Sequence, residues 1–166
     1  MKKNVLLLFL TTFLIFSCSS DASDDSSDAP EEDTLVGTWV LTDLMIDSNV
    51  DDDDLDFGKQ IIQFLQGINC DLITFTFNEN STVMSDSKAN FLSINVGVGG
   101  LDIPCPTESD IVSSLWVLDG NQLTISTEGE EDQVITIQLE GDTLIIPGES
   151  IDENNYVGAD AVFTRQ

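Results

Sequence analysis

Residues 72–85 read LITFTFNENSTVMS, and this stretch decides the fold class. In its first half Ile73, Phe75 and Phe77 alternate with threonines, as expected of a strand with one buried and one exposed face. The turn-forming run Asn-Glu-Asn follows, and a second strand-like run ends at Ser85. The stretch therefore predicts a β-hairpin.

Similar units recur along the chain, and two of them are joined by glycine-containing turns at residues 119–121 and 140–142. The predicted strands are Thr34 to Asp43, Leu72 to Phe77, Ser81 to Ser85, Ile111 to Leu118, Gln122 to Thr127, Val134 to Leu139, Thr143 to Ile146 and Ala159 to Arg165, with Phe91 to Val98 as a further candidate. Successive hairpins predict an antiparallel meander, which avoids open edges by closing on itself. We predict an all-β, up-and-down antiparallel barrel of about eight strands over residues 34–166.

One segment has helical rather than strand spacing, with apolar residues at Phe57, Ile61, Phe64, Leu65 and Ile68. Asp54 and Asp56 precede it, where a helix N-terminus favours negative charge. We predict a short helix from about Phe57 to Gln66. It either plugs one barrel end and completes the core, or acts as a lid that opens for a ligand.

The domain resembles the lipocalin-like domains of small bacterial lipoproteins. The resemblance is carried by Leu35-Val36-Gly37-Thr38-Trp39, the hairpins at residues 73–78, 116–124 and 139–144, and the ending Phe163-Thr164-Arg165. It implies that Trp39 and Arg165 stack to close the barrel base, a structural role. It also implies a cup for a small apolar ligand. Alternation along the strands predicts which residues face inward. These residues are candidates first for the core and second for ligand contacts, and they are Leu41, Phe75, Phe77, Trp116, Leu118, Ile125 and Leu144.

The first residues of the chain predict that the protein is exported. Lys2 and Lys3 precede a short apolar run, a pattern typical of a secretory signal peptide over residues 1–17. Leu14-Ile15-Phe16-Ser17-Cys18 resembles the lipobox of bacterial lipoproteins, which implies cleavage before Cys18 and lipidation of its thiol. The alternative is an ordinary signal peptide followed by an incidental cysteine.

Residues 18–33 contain almost only serine, aspartate, alanine and glutamate after Cys18, a composition that predicts a disordered acidic tether. After cleavage, three basic residues remain against 31 acidic ones, a net charge of 3 minus 31, or −28. This charge argues against nucleic acid as a partner. The acidic tract resembles a lipoprotein export signal, so we expect an outer-membrane lipoprotein at the cell surface, with a periplasm-facing orientation as the alternative.

Two cysteines remain if Cys18 carries lipid. An exported domain meets oxidising conditions, so we predict a Cys70–Cys105 disulfide. Two buried free thiols are the alternative.

No catalytic constellation is evident. The chain has no histidine, which excludes histidine-dependent triads, zinc sites and acid–base catalysis. The acidic run from Asp51 to Asp56 suggests a calcium site, because carboxylate oxygens suit that ion. The run does not match the EF-hand pattern, since Gln63 occupies the position of the bidentate glutamate. We read it as a solvated loop, with weak divalent-ion binding as the alternative. Residues 95–100, rich in glycine, are expected to form a loop or frayed strand.

We therefore expect a monomeric, non-enzymatic protein without cofactor or metal, anchored to the membrane through Cys18 and binding a small apolar ligand. The alternative function is a surface interaction module with a solid barrel core, whose partner is a protein or polysaccharide.

Overall fold

The computed structural model describes residues 34–98, 100–151 and 157–166. The predicted signal peptide (residues 1–17), the tether (18–33) and the lipidation site Cys18 lie outside these ranges. Within them, no helix has both the length and the apolar character needed to cross a membrane.

The described chain forms one α-helix, two short 3-10 turns and eleven strands. The helix is α1 (Asp53–Gly67), and the 3-10 turns are Ala89–Phe91 and Gly148–Ser150. The strands are β1 (Gly37–Ile46), β2 (Ile73–Phe77), β3 (Thr82–Ser87), β4 (Asn95–Gly97), β5 (Gly100–Asp102), β6 (Asp110–Asp119), β7 (Gln122–Ser126), β8 (Gln133–Thr136), β9 (Gln138–Glu140), β10 (Thr143–Pro147) and β11 (Ala159–Arg165).

Nine strands form one antiparallel sheet in the order β8-β7-β6-β3-β2-β1-β11-β10-β9. Its edge strands, β8 and β9, are consecutive in the chain and are separated only by Ile137, so the sheet curls back on itself there. The predicted single strand Val134 to Leu139 is therefore divided, because β8 pairs with β7 and β9 pairs with β10. The predicted all-β, up-and-down antiparallel barrel is confirmed, with nine strands instead of about eight.

The first strand runs three residues further than predicted, to Ile46, and starts at Gly37 instead of Thr34. A bulge shifts the β1–β11 register between Leu41 and Asp43. Simple alternation would point Asp43 inward after Leu41, whereas the bulge points Leu44 inward and leaves Asp43 to face the helix. The Lys59 ammonium lies 3.2 Å from the Asp43 carboxylate, and the Gln63 side chain donates to it at 3.1 Å.

The helix α1 is longer than the predicted Phe57 to Gln66. Asp52 caps it, since its carboxylate accepts hydrogen bonds from the Asp54 and Leu55 amides at 2.9 and 3.4 Å. The acidic run is thus the cap and first turn of a helix. The residues that α1 buries are Leu55, Ile61, Ile62 and Leu65, so one face of the helix is part of the core.

The segment between β3 and β6 differs from the single strand considered over Phe91 to Val98. It contains a 3-10 turn and a separate two-stranded sheet, β4 with β5. A disulfide between Cys70 and Cys105 ties this segment to the chain between α1 and β2, which confirms the predicted pairing.

Candidate functional site

At the barrel base, Arg165 and Trp39 are cross-strand partners on β11 and β1. The guanidinium carbon lies 4.2 Å from the centre of the fully buried indole ring, a cation–π contact. The guanidinium also donates to the carbonyl oxygens of Val36 and Thr34, each at 2.6 Å, and pairs with the Asp142 carboxylate at 3.1 Å. Arg165 thus fixes the chain that enters β1 to the end of the last strand.

Glycine at position 37 permits this arrangement. Its φ of 141° lies in the region that side chains disfavour, and a Cβ there would come within 2.7 Å of an Arg165 nitrogen. The Gly-x-Trp element and the terminal arginine therefore form one structural unit, in which Gly37 makes room for the guanidinium.

The barrel interior contains a cavity of about 310 Å³. This volume is at the lower end of the range of small-molecule pockets, about 300 to 1,000 Å³. Its apolar wall consists of Ile73, Phe75, Phe77, Val83, Val112, Leu123, Ile125, Ile135, Ile146 and Ile151. The barrel is therefore not filled by its own side chains.

The rest of the lining is a polar collar of uncharged side chains, formed by Ser85, Ser87, Ser114, Thr127, Gln133 and Ser150. Ser87 ends β3, Thr127 directly follows β7 and Gln133 begins β8. These three positions lie at the barrel end opposite the Trp39–Arg165 contact, so the collar surrounds the upper part of the cavity. The described lining includes no aspartate, glutamate, lysine or arginine.

The predicted cavity candidates occupy three environments. Phe75, Phe77 and Ile125 line the cavity. Leu41 and Leu144 are buried in the packed core and are absent from the cavity's described lining. Trp116 and Leu118, near the base, pack against the core and are partly buried.

Aromatic contacts explain why the base is solid while the upper barrel is hollow. Phe75 lies 5.0 Å from Phe163 between ring centres, and Phe77 meets Trp116 edge to face at 5.5 Å. The Trp116 indole also donates to the Thr82 carbonyl at 3.1 Å. Above this layer the inward positions of β3 and β6 hold serine and valine, which are too small to fill the barrel.

The polar collar was not predicted from the sequence. A signal exists in the alternation of Val83, Ser85 and Ser87 on β3, which continues opposite them with Val112 and Ser114 on β6. Alternation shows that these side chains share a face, but it gives no measure of the space between that face and the opposite wall.

An acidic cluster lies beside the collar end, where β11 begins. Burial raises the pKa of the Asp160 carboxyl above its ordinary value of 3.8, and the nearby charges of Asp47 and Glu149 raise it further. The carboxylates of Asp160, Asp47 and Glu149 therefore repel one another.

Within the described ranges, no group of three or more cysteine or acidic side chains is arranged to hold a metal ion. Asp52, one residue of the acidic run, uses its carboxylate to cap α1.

The outer face of β6 and β8 presents a second feature. Ile111, Leu115, Val117 and Val134 are each between 57% and 63% exposed. Thr124 pairs with both Val117 and Val134, so these two valines flank Thr124 on the outside of the barrel. Exposed apolar groups of this kind often mark contact surfaces.

No protein-family model and no curated protein match this chain. Two solved structures are similar to it. One is a lipocalin-like protein from Bacteroides uniformis, at 12% identity and a TM-score of 0.42 over 81% of this chain and all of that one. The other is an uncharacterised protein from Bacteroides eggerthii, at 10% identity and a TM-score of 0.43 over 80% of this chain and all of that one. Strand order, register and closure of the barrel define the fold.

Proposed function

We propose that the protein is a lipid-anchored, non-enzymatic binding protein at the cell surface that holds a small apolar ligand inside its lipocalin-like barrel. The cavity of about 310 Å³ carries this proposal, because ten of its sixteen lining residues are apolar. Transfer of apolar surface from water into such a lining is favourable by about 25 cal/mol per Å².

The lipobox-like Leu14–Cys18 segment and the acidic residues behind it support the anchor and the surface location. Several acyl chains on one cysteine give lasting membrane attachment, whereas one chain gives only marginal binding. Protease treatment of intact cells tests the location: digestion of the domain supports surface display, and protection until the outer membrane is opened contradicts it.

The test of ligand binding uses two neighbouring residues of β3 that point to opposite faces. Ser85 lines the cavity, and Met84 is 43% exposed on the outer face. In S85F the phenyl ring enters the cavity, while M84F adds the same ring outside. Binding of the uncharged fluorescent probe N-phenyl-1-naphthylamine is measured with the full chain in lipid nanodiscs, with the signal of empty discs subtracted.

Wild type and M84F should bind the probe with equal affinity, and S85F should bind at least about tenfold more weakly, a loss of about 1.4 kcal/mol. Equal binding by all three proteins, or none by wild type, would overturn the proposal. Circular dichroism and urea unfolding establish that S85F retains the fold.

The exposed apolar residues on β6 and β8 favour a second candidate function, recognition of an apolar surface on a partner protein. Cross-linking from a photoreactive residue at position 117 in the native membrane tests it. A discrete adduct that V134D removes would support this function, and the absence of any adduct would contradict it.

A further inference from the structure

We infer that the ligand is an uncharged amphiphile, with an apolar body against the apolar wall and a hydroxyl or carbonyl head group at the polar collar. This inference rests on the proposed binding function and names the chemistry of its ligand. It excludes fatty acids and other anionic lipids as the preferred occupants.

The collar can hydrogen-bond a neutral head group. The hydroxyls of Ser114 and Thr127 lie 2.8 Å apart, and the Gln133 side chain donates to the Ser150 carbonyl at 2.9 Å. The Ser85 hydroxyl makes no hydrogen bond to any described residue. Hydroxyl groups both donate and accept hydrogen bonds. They can therefore bind the head group of an alcohol, an amide or an ester, and they can also bind each other.

The collar has no cation with which to neutralise an anion. Arg165 is at the opposite end of the barrel, where it is held by two carbonyl oxygens and Asp142. Lys59 is paired with Asp43 and donates to the Leu44 carbonyl at 2.6 Å on the helix side of β1. Lys88 follows the collar residue Ser87 in sequence, but it is not among the described residues that line the cavity.

Desolvation then disfavours a charged head group. A carboxylate moved from water into this lining loses hydration without gaining a partner of opposite charge, so its protonated form binds preferentially. The net charge of the chain, −26 from five basic and 31 acidic residues, also repels anions before they reach the cavity. A cationic head group would be attracted by the same field and by the acidic cluster of Asp47, Glu149 and Asp160, but none of these three residues lines the cavity, so it too would find no paired charge in the lining.

Displacement of the neutral probe by a matched series of straight-chain molecules of equal length, an alcohol, a carboxylic acid and an amine, tests the inference. At about pH 7 the alcohol should displace the probe at a concentration at least about tenfold lower than either charged molecule. The acid should become more potent as the pH falls through the carboxyl pKa, while the alcohol should not change.

K88Q should alter none of these values. The inference is overturned if the acid or the amine displaces the probe as well as the alcohol does at about pH 7, and loss of acid binding in K88Q would then identify Lys88 as the head-group partner. That result would leave the proposed function intact, because probe binding and its loss in S85F are measured independently of head-group charge. If wild type binds no probe, both the proposed function and this inference fail.

Discussion

Replacing Arg165 with methionine should destabilise the barrel, because the guanidinium connects three parts of its base. The substitution removes a cation–π contact with Trp39, worth about 0.5 to 2 kcal/mol. It also removes two hydrogen bonds to the carbonyls of Val36 and Thr34, each worth about 1 kcal/mol or more when the donor is charged. The ion pair with Asp142 adds little, because the Asp142 side chain is 78% exposed. We expect R165M to lose about 2 to 4 kcal/mol of unfolding free energy.

Urea unfolding followed by tryptophan fluorescence measures this loss, since Trp39 is the residue that the guanidinium covers. K88M is the matched control: it removes one positive charge from the same acidic chain, but Lys88 makes no side-chain hydrogen bond or ion pair with the described residues. It should change stability by less than about 0.5 kcal/mol. R165K should lie between wild type and R165M, because lysine keeps the charge without the planar fork. A loss in R165M no larger than in K88M would refute this account of the base.

Three further predictions concern other parts of the molecule. D160N should raise the melting temperature at about pH 7, because the raised pKa of Asp160 means that its ionised form opposes folding. The gain should shrink as the pH falls through the raised pKa and be lost well below the ordinary value of 3.8, where the carboxyl is protonated in both states; a lower melting temperature at about pH 7 would contradict this prediction. The double variant C70S/C105S should lose about 3 to 4 kcal/mol of unfolding free energy, measured with urea under oxidising conditions, as expected for a cross-link between cysteines 35 residues apart. An unchanged urea midpoint would show that the disulfide does not constrain the chain. C18A should incorporate no labelled fatty acid in the host; labelling equal to that of wild type would disprove lipidation at Cys18.

Much of the fold could be predicted from local pattern. The hairpin of β2 and β3 is specified by alternation through Phe75 and Phe77 and by the turn after it. Asp54 and Asp56 indicated a helix N-terminus nearby, although the helix begins at Asp53 instead of Phe57. These features depend on neighbours a few residues apart, so the sequence displays them directly.

Features that depend on closure of the whole barrel were not predictable in the same way. The bulge that turns Leu44 inward and the division of one strand at Ile137 arise where the sheet must bend to meet itself. Leu41 and Leu144 face inward like Phe75, yet they are packed solid while Phe75 borders a cavity. Which inward side chains leave space depends on the volumes opposite them, and strand alternation carries no such information.

Native mass spectrometry of the full chain, purified from the membranes of its own host, tests the central claim most directly. Wild type and M84F should each retain a small molecule that is uncharged at neutral pH, and S85F, with its cavity occupied by a phenyl ring, should retain none. Wild type and M84F without any bound small molecule, or the same adduct on S85F, would contradict the claim that the barrel binds a ligand in its interior.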